Sequence, residues 1–135
     1  MSTDKISNLL SSLKNASLAG KQYFETDYFR QGKEILGLLE ARGLIKSVKV
    51  FKPEGSSYRN IRVDLLTTPQ GLVRRIEAVR ISKPGRRIYS GHKDIKSVKA
   101  GLGILVVSTP RGMLSGEEAK KRKLGGELVC KVYFD

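Results

Sequence analysis

The sequence predicts an α+β protein built from two small α/β subdomains. Residues 1–70 read as an N-terminal α-β-α-β-β layer, and residues 71–135 as a C-terminal, mostly antiparallel β part with short helices. Three observations predict this. Apolar residues recur at helical spacing in two segments that both end before Leu44. From Leu44 onward the period falls to two, and the polar, turn-rich run Thr67-Thr68-Pro69-Gln70-Gly71 separates the two halves. A chain of 135 residues buries roughly two-thirds of its unfolded surface, so it needs no disulfide or metal to fold.

Taken in order, Thr3 is placed to cap a first helix in which Ile6, Leu9, Leu10, Leu13 and Ala16 share a face, and Gly20 ends it. Gln22 to Thr26 reads as extended. A second helix runs from about Arg30 to Arg42, buries Ile35, Leu36, Leu38 and Leu39, and stops at Gly43. Leu44 to Phe51 and Tyr58 to Leu66 are strands joined through Pro53-Glu54-Gly55-Ser56. Leu72 to Ser82 is the next strand, turning at Lys83-Pro84-Gly85 into a basic strand, Arg86 to Ser90. Asp94 to Ala100 is too short for more than a turn or two of helix, and Gly103 to Thr109 is a buried strand. Ser115 and Glu118 have capping-box spacing ahead of a short basic helix through Lys123. Gly125-Gly126 breaks that helix, and Glu127 to Phe134 closes the sheet with Leu128, Cys130, Val132 and Phe134 on one face.

Charge narrows the function classes. Lys and Arg number 26 against 13 Asp and Glu, a net charge of +13, and residues 73–135 carry +9 of it. Such an excess favours encounter with polyanions, nucleic acid first. No apolar run approaches the roughly 18 residues of a membrane span, and MSTDKISNLL does not read as a signal peptide, so the chain is expected to stay in the compartment where it is made. Cys130 and His92 each stand alone, which leaves metal sites and histidine triads without their parts.

The most informative stretch is GLGILVVSTPRGML, Gly101 to Leu114. It is no dinucleotide fingerprint, because Val106 stands where the third glycine belongs. It is no nucleophile elbow either, because Ser108 lacks flanking glycines. The apolar run reads as core. The end of the strand, Ser108-Thr109-Pro110-Arg111-Gly112, has the groups that RNA recognition uses: hydroxyls able to meet a 2′-OH, phosphate or base edge, a cation, and a glycine that lets backbone approach backbone. A plain strand-ending turn accounts for the same residues equally well.

Three motifs in order then carry a resemblance: ISKPGRRIY (81–89), AGLGILVVSTPRG (100–112) and EEAKKRKLGGELVCKVY (117–133). Together they closely resemble the bacterial-type small-subunit ribosomal protein S8 family. SNLLSSLKNA (7–16) and LEARGLI (39–45) extend the likeness more loosely over the N-terminal half. The resemblance implies a primary binder of the central domain of 16S rRNA that helps assemble the platform of the small subunit. It also implies neighbouring small-subunit proteins as partners, residence in the cytoplasmic ribosome, and a second role repressing the protein's own operon transcript. It implies RNA contacts from Ser108, Thr109 and Gly112 in the turn, from Tyr89 and Glu127, and from Thr3, Asp4, Lys14, Asn15 and Arg30 in the N-terminal half. Arg111, with Lys83 and Arg86 around the Lys-Pro-Gly turn, joins the candidate set as cations. Pro110 departs from the third hydroxyl common in the family. No catalytic residue, cofactor, metal, membrane or small-molecule substrate is expected. The alternative from another class is a sequence-specific DNA-binding regulator.

Overall fold

The computed structural model describes Asp4–Asp135. Its elements are α1 (Lys5–Leu18), β1 (Tyr23–Asp27), α2 (Arg30–Arg42), β2 (Ser47–Phe51), β3 (Asn60–Asp64), β4 (Ile76–Arg80), β5 (Tyr89–Ser90), β6 (Ile104–Thr109), β7 (Gly112–Ser115), α3 (Gly116–Lys121) and β8 (Gly126–Phe134), with 3₁₀ turns at His92–Asp94 and Lys99–Gly101. This is an α+β fold in two subdomains, as the sequence predicts. Helix α1 is capped by Asp4, whose carboxylate accepts from the Ser7 amide at 3.1 Å and the Ser7 hydroxyl at 2.7 Å. The predicted cap, Thr3, lies outside the described residues. Helix α2 ends in a Schellman turn: Gly43 has φ of 82° and the Leu44 N–H donates to Leu39 O at 2.9 Å. That turn buries Leu44 and Ile45, so the following strand begins at Ser47 rather than at Leu44.

The first sheet has the antiparallel order β1-β3-β2 and the second the order β4-β8-β6-β7, with β5 also on β8. One core joins them. Leu9, Leu10 and Leu13 of α1 and Ile35, Leu36 and Leu39 of α2 pack in the same cluster as Ile61 and Val63 of β3 and Ile76, Ile104, Val106, Cys130 and Val132 of the second sheet. Polar ties cross the same seam. The buried Ser17 hydroxyl accepts from the Ile76 amide at 3.0 Å, and Arg42 reaches Glu117 at 2.9 Å and the Gly101 carbonyl at 3.2 Å.

Strand β8 departs from simple alternation. Val106 pairs with Cys130 but Val107 with Leu128, so Val129 is the extra residue of a β-bulge. Val129 and Cys130 are both buried against the helices. Leu128 packs instead with Ile95, Val107 and Ala119 on the opposite face, which corrects the single face expected for Leu128 through Phe134. The basic strand expected over Arg86–Ser90 is a strand only at Tyr89–Ser90. Before it, Lys83 and Arg86 bond to each other across a tight turn with Gly85 at φ of 85°. The buried Ser82 hydroxyl clamps the loop, accepting from the Ile88 amide at 2.9 Å and donating to the Ile88 carbonyl at 3.2 Å. Helix α3 stops at Lys121, short of Lys123.

Burial pushes the Asp4 carboxyl up, but the Ser7 hydroxyl and amide and the Arg80 guanidinium outweigh it and hold the group below its ordinary value of 3.8. A depressed folded pKa contributes stability that is present above the unfolded value and lost as pH falls through the folded one. Asp4→Asn keeps a capping oxygen and removes the charge. Its urea midpoint should therefore lie below wild type at pH 7, with the gap closing as the pH drops through the carboxylate range; a gap independent of pH contradicts the assignment.

Candidate nucleic-acid interface

The β6–β7 hairpin closes through two residues, Pro110 and Arg111, between the paired Thr109 and Gly112. Proline fits the first turn position because its φ is already fixed there. Gly112, at φ of 101°, then supplies the left-handed residue that rejoins the twisted ladder. The two hydroxyls of the turn differ. Thr109 Oγ1 donates to the Gly112 carbonyl at 2.9 Å and accepts from the Arg111 amide at 3.1 Å, so it holds the turn together. The Ser108 hydroxyl, half-buried, makes no hydrogen bond among the described residues.

Ser108 lies in a cross-strand row. Met113 pairs with Ser108, Ser108 with Glu127, and Glu127 with Tyr89, placing one candidate on each of β5, β8 and β6 side by side. Tyr89 is 69% exposed. Glu127, whose carboxylate looks out of place near RNA, is paired: Arg87 Nη1 donates to it at 3.0 Å, and its side chain is only 17% exposed. The same bond raises the Arg87 pKa. The Gly125-Gly126 pair does more than break a helix. A Cβ on Gly126 would run into the Ser108 carbonyl, and one on Gly125 would stand 2.6 Å from the Ser90 carbonyl.

From the other half, the start of α2 borders the hairpin. Glu34 accepts from the Met113 amide at 3.3 Å and from Arg30 Nε at 3.1 Å. Arg30, Gln31 and Glu34 line one wall of a shallow groove whose other wall is Ser108, Thr109, Pro110 and Gly112. The structure thus brings together Arg30, Ser108, Thr109, Arg111, Gly112, Glu127 and Tyr89. Lys83 and Arg86 stand exposed on their own turn, one loop away from Tyr89.

Other candidates are not gathered there. Asp4 is used as a helix cap and meets Arg80 at 3.5 Å. Lys14 and Asn15 lie about 15 Å further along α1, and Lys14 is tied to Glu77 at 2.9 Å. Sequence reasoning missed Arg87 and Glu34. Arg87 sits in the quoted GRRIY motif without any sign that it rather than Arg86 pairs with Glu127, and Glu34 reads simply as a helix surface residue. Burial pushes the Cys130 thiol up to about 12, which leaves it unreactive. Among the described residues, no group of three or more His, Cys, Asp or Glu is placed to hold a metal ion, and no helix is long and apolar enough to cross a membrane.

Known proteins resemble this chain over nearly its whole length. A family model described as ribosomal protein S8 matches residues 4–133. The small ribosomal subunit protein uS8 of Thermus aquaticus is 40% identical over 138 residues, covering 98% of this chain and 100% of that protein. The uS8 protein of Thermus thermophilus is 38% identical with the same coverage. That of Borrelia turicatae is 34% identical over 97% of this chain and 98% of its own length.

Two glycines test the packing argument. Gly126→Ala must push the end of β6 away and should cost about 1–3 kcal/mol in chemical denaturation. Gly37→Ala, in α2 with open space around its Cβ position, should stabilise by about 0.5–1 kcal/mol. Equal effects of the two substitutions would contradict the close approach at Gly126.

Proposed function

The chain belongs to the ribosomal protein S8 family, and from that premise we propose that it is a primary rRNA-binding protein that grips the central domain of 16S rRNA and helps assemble the platform of the small subunit. Membership makes it a structural, non-enzymatic protein of the small ribosomal subunit, acting in translation, with rRNA and ribosomal proteins as its partners. In our reading residues 71–135 form the main RNA-binding part and residues 1–70 a second RNA-touching part, within a cytoplasmic ribosome. The observation that carries this is the Ser108 hydroxyl. It lacks an internal partner among the described residues and lines, with exposed Arg30, a groove shared by both halves; exposed Arg111 lies in the same turn, and exposed Tyr89 stands two strands across in the same row.

The division of labour follows from the chemistry. Arg30, Arg111, Lys83 and Arg86 neutralise phosphates and supply affinity that falls with salt. Ser108 and Tyr89 offer a short-range hydroxyl and an exposed ring to an irregular RNA helix, where the 2′-OH and splayed bases are within reach. Glu127, braced by Arg87, offers its remaining lone pairs to a base amino group or a 2′-OH. Thr109 and Gly112 shape the turn. A messenger folded like the rRNA site would meet the same surface, so a gel shift against the protein's own operon transcript tests the repressor role. The DNA-regulator alternative finds little support: α3 is six residues long, and α1 and α2 bury one face in the core.

The two hydroxyls separate binding from folding. Ser108→Ala should leave stability within about 0.5 kcal/mol and weaken binding of a central-domain 16S fragment by about 0.5–1.5 kcal/mol in a filter assay. Thr109→Val should destabilise the folded chain by about 1 kcal/mol by removing the hairpin bonds. Unchanged affinity for Ser108→Ala, with folding intact, contradicts the assignment.

A further inference from the structure

A second groove lies at the far end of the N-terminal half, between the start of α1 and the β2–β3 connection, lined by Lys5, Asp27, Tyr28, Tyr58, Arg59 and Asn60. Tyr58 is 80% exposed, the most exposed large hydrophobic side chain among the described residues. A single exposed aromatic needs no explanation by itself, but this one is mounted on a fixed backbone. The Ser56 hydroxyl accepts from the Tyr58 amide at 3.0 Å and donates to the Tyr58 carbonyl at 3.1 Å. The next carbonyl, of Arg59, accepts from the Tyr28 amide at 3.1 Å. Bonded on both sides, the backbone that carries the ring is ordered before binding, so the remaining entropic cost is that of the side-chain torsions.

The charges around it are arranged as well. The Arg59 guanidinium lies 4.1 Å from the centre of the Tyr28 ring, and among the described residues neither Arg59 nor Lys5 has a carboxylate within ion-pair distance. Other cations of the same half, Lys14, Arg30, Arg42 and Arg62, are each paired with a carboxylate. An exposed ring beside two unpaired cations is the combination that single-stranded nucleic acid uses: the base stacks and the phosphate is neutralised. Asp27 in the same groove sets the polarity, since it repels phosphate and accepts from a base amino group or a 2′-OH.

The groove is also joined to the interface already described. Lys5 follows Asp4, which meets Arg80 of β4, and Tyr28 is two residues before Arg30, which faces the Ser108 hairpin. The start of α2 thus connects the two grooves, with Tyr28 in one and Arg30 in the other. Resting on the RNA-binding reading above, we propose that this groove is a separate contact for the same rRNA, in which Tyr58 stacks on an unpaired nucleotide while Lys5 and Arg59 hold its phosphate.

The test uses the full chain and a central-domain 16S rRNA fragment, with Ser108→Ala as the reference variant and circular dichroism to confirm folding. Tyr58→Ala should weaken binding roughly 5- to 100-fold, and Tyr58→Phe, which keeps the ring, should restore it. Lys5→Gln should reduce the slope of log affinity against log salt by about 0.7–0.9, and Lys5 is far enough from the core that folding is spared. Wild-type affinity and salt slope for folded Tyr58→Ala and Lys5→Gln overturn the inference, and if Ser108→Ala is weakened in the same experiment the main reading stands. An intact RNA affinity with impaired assembly of small subunits would assign the groove to a protein neighbour and also overturn it. If the wild-type chain fails to bind the fragment, the RNA-binding reading itself falls.

Discussion

Strand β8 is the constraint on which the rest of the structure depends. It is paired along one side with β6 and along the other with β4 and β5 in succession. Its bulge at Val129 turns the chain over, so that Cys130 and Val132 meet α1 and α2 while Leu128 meets Val107, Ala119 and Ile95. One strand therefore serves both faces of a sheet covered on both sides. At its start, Gly125-Gly126 let the ends of β5 and β6 come closer than any side chain would permit. Tyr89, Glu127 and Ser108 stand in one row because of that approach. Any change that thickens β8 at this end moves the candidate interface as well as the core.

The two halves act as one body because their ties are of different kinds. Apolar packing across the seam is non-directional and sets distance, whereas the ties from Glu34 to Met113, Arg42 to Gly101 and Ser17 to Ile76 are directional and set orientation. Charge is divided in a similar way. Seven of the 13 carboxylates pair with Lys or Arg among the described residues. Since 26 cations share those few partners, most of the positive charge is left to face a polyanion.

Much of the fold is legible in the sequence because periodicity and punctuation agree. The helix over Arg30–Arg42 with its stop at Gly43, and the strand ending at Thr109, lie where spacing and turn residues put them. The features that escape a local reading are non-local in origin. No local pattern marks Val129 as a bulge, so alternation alone puts Leu128 on the wrong face. Nor does any local pattern show that Ser82 clamps Ile88 and shortens the basic strand to two residues. In the candidate site the composition of the turn is legible, but the roles within it are not. Ser108 and Thr109 look alike in sequence, and only the hairpin geometry gives Thr109 to the turn and leaves Ser108 available. Tyr58 reads as the first residue of a strand, because its exposure depends on the loop bonds made by Ser56.

In the proposed function, the face organised by β8 and bordered by α2 makes the main grip on structured RNA. Chemical probing of the 16S central domain with and without the purified chain tests it most directly, with duplex DNA of equal length as competitor at matched salt. A compact set of nucleotides around one irregular helix should become protected, and the DNA should not remove the protection. Absent or scattered protection, or equal competition by the duplex, would contradict it.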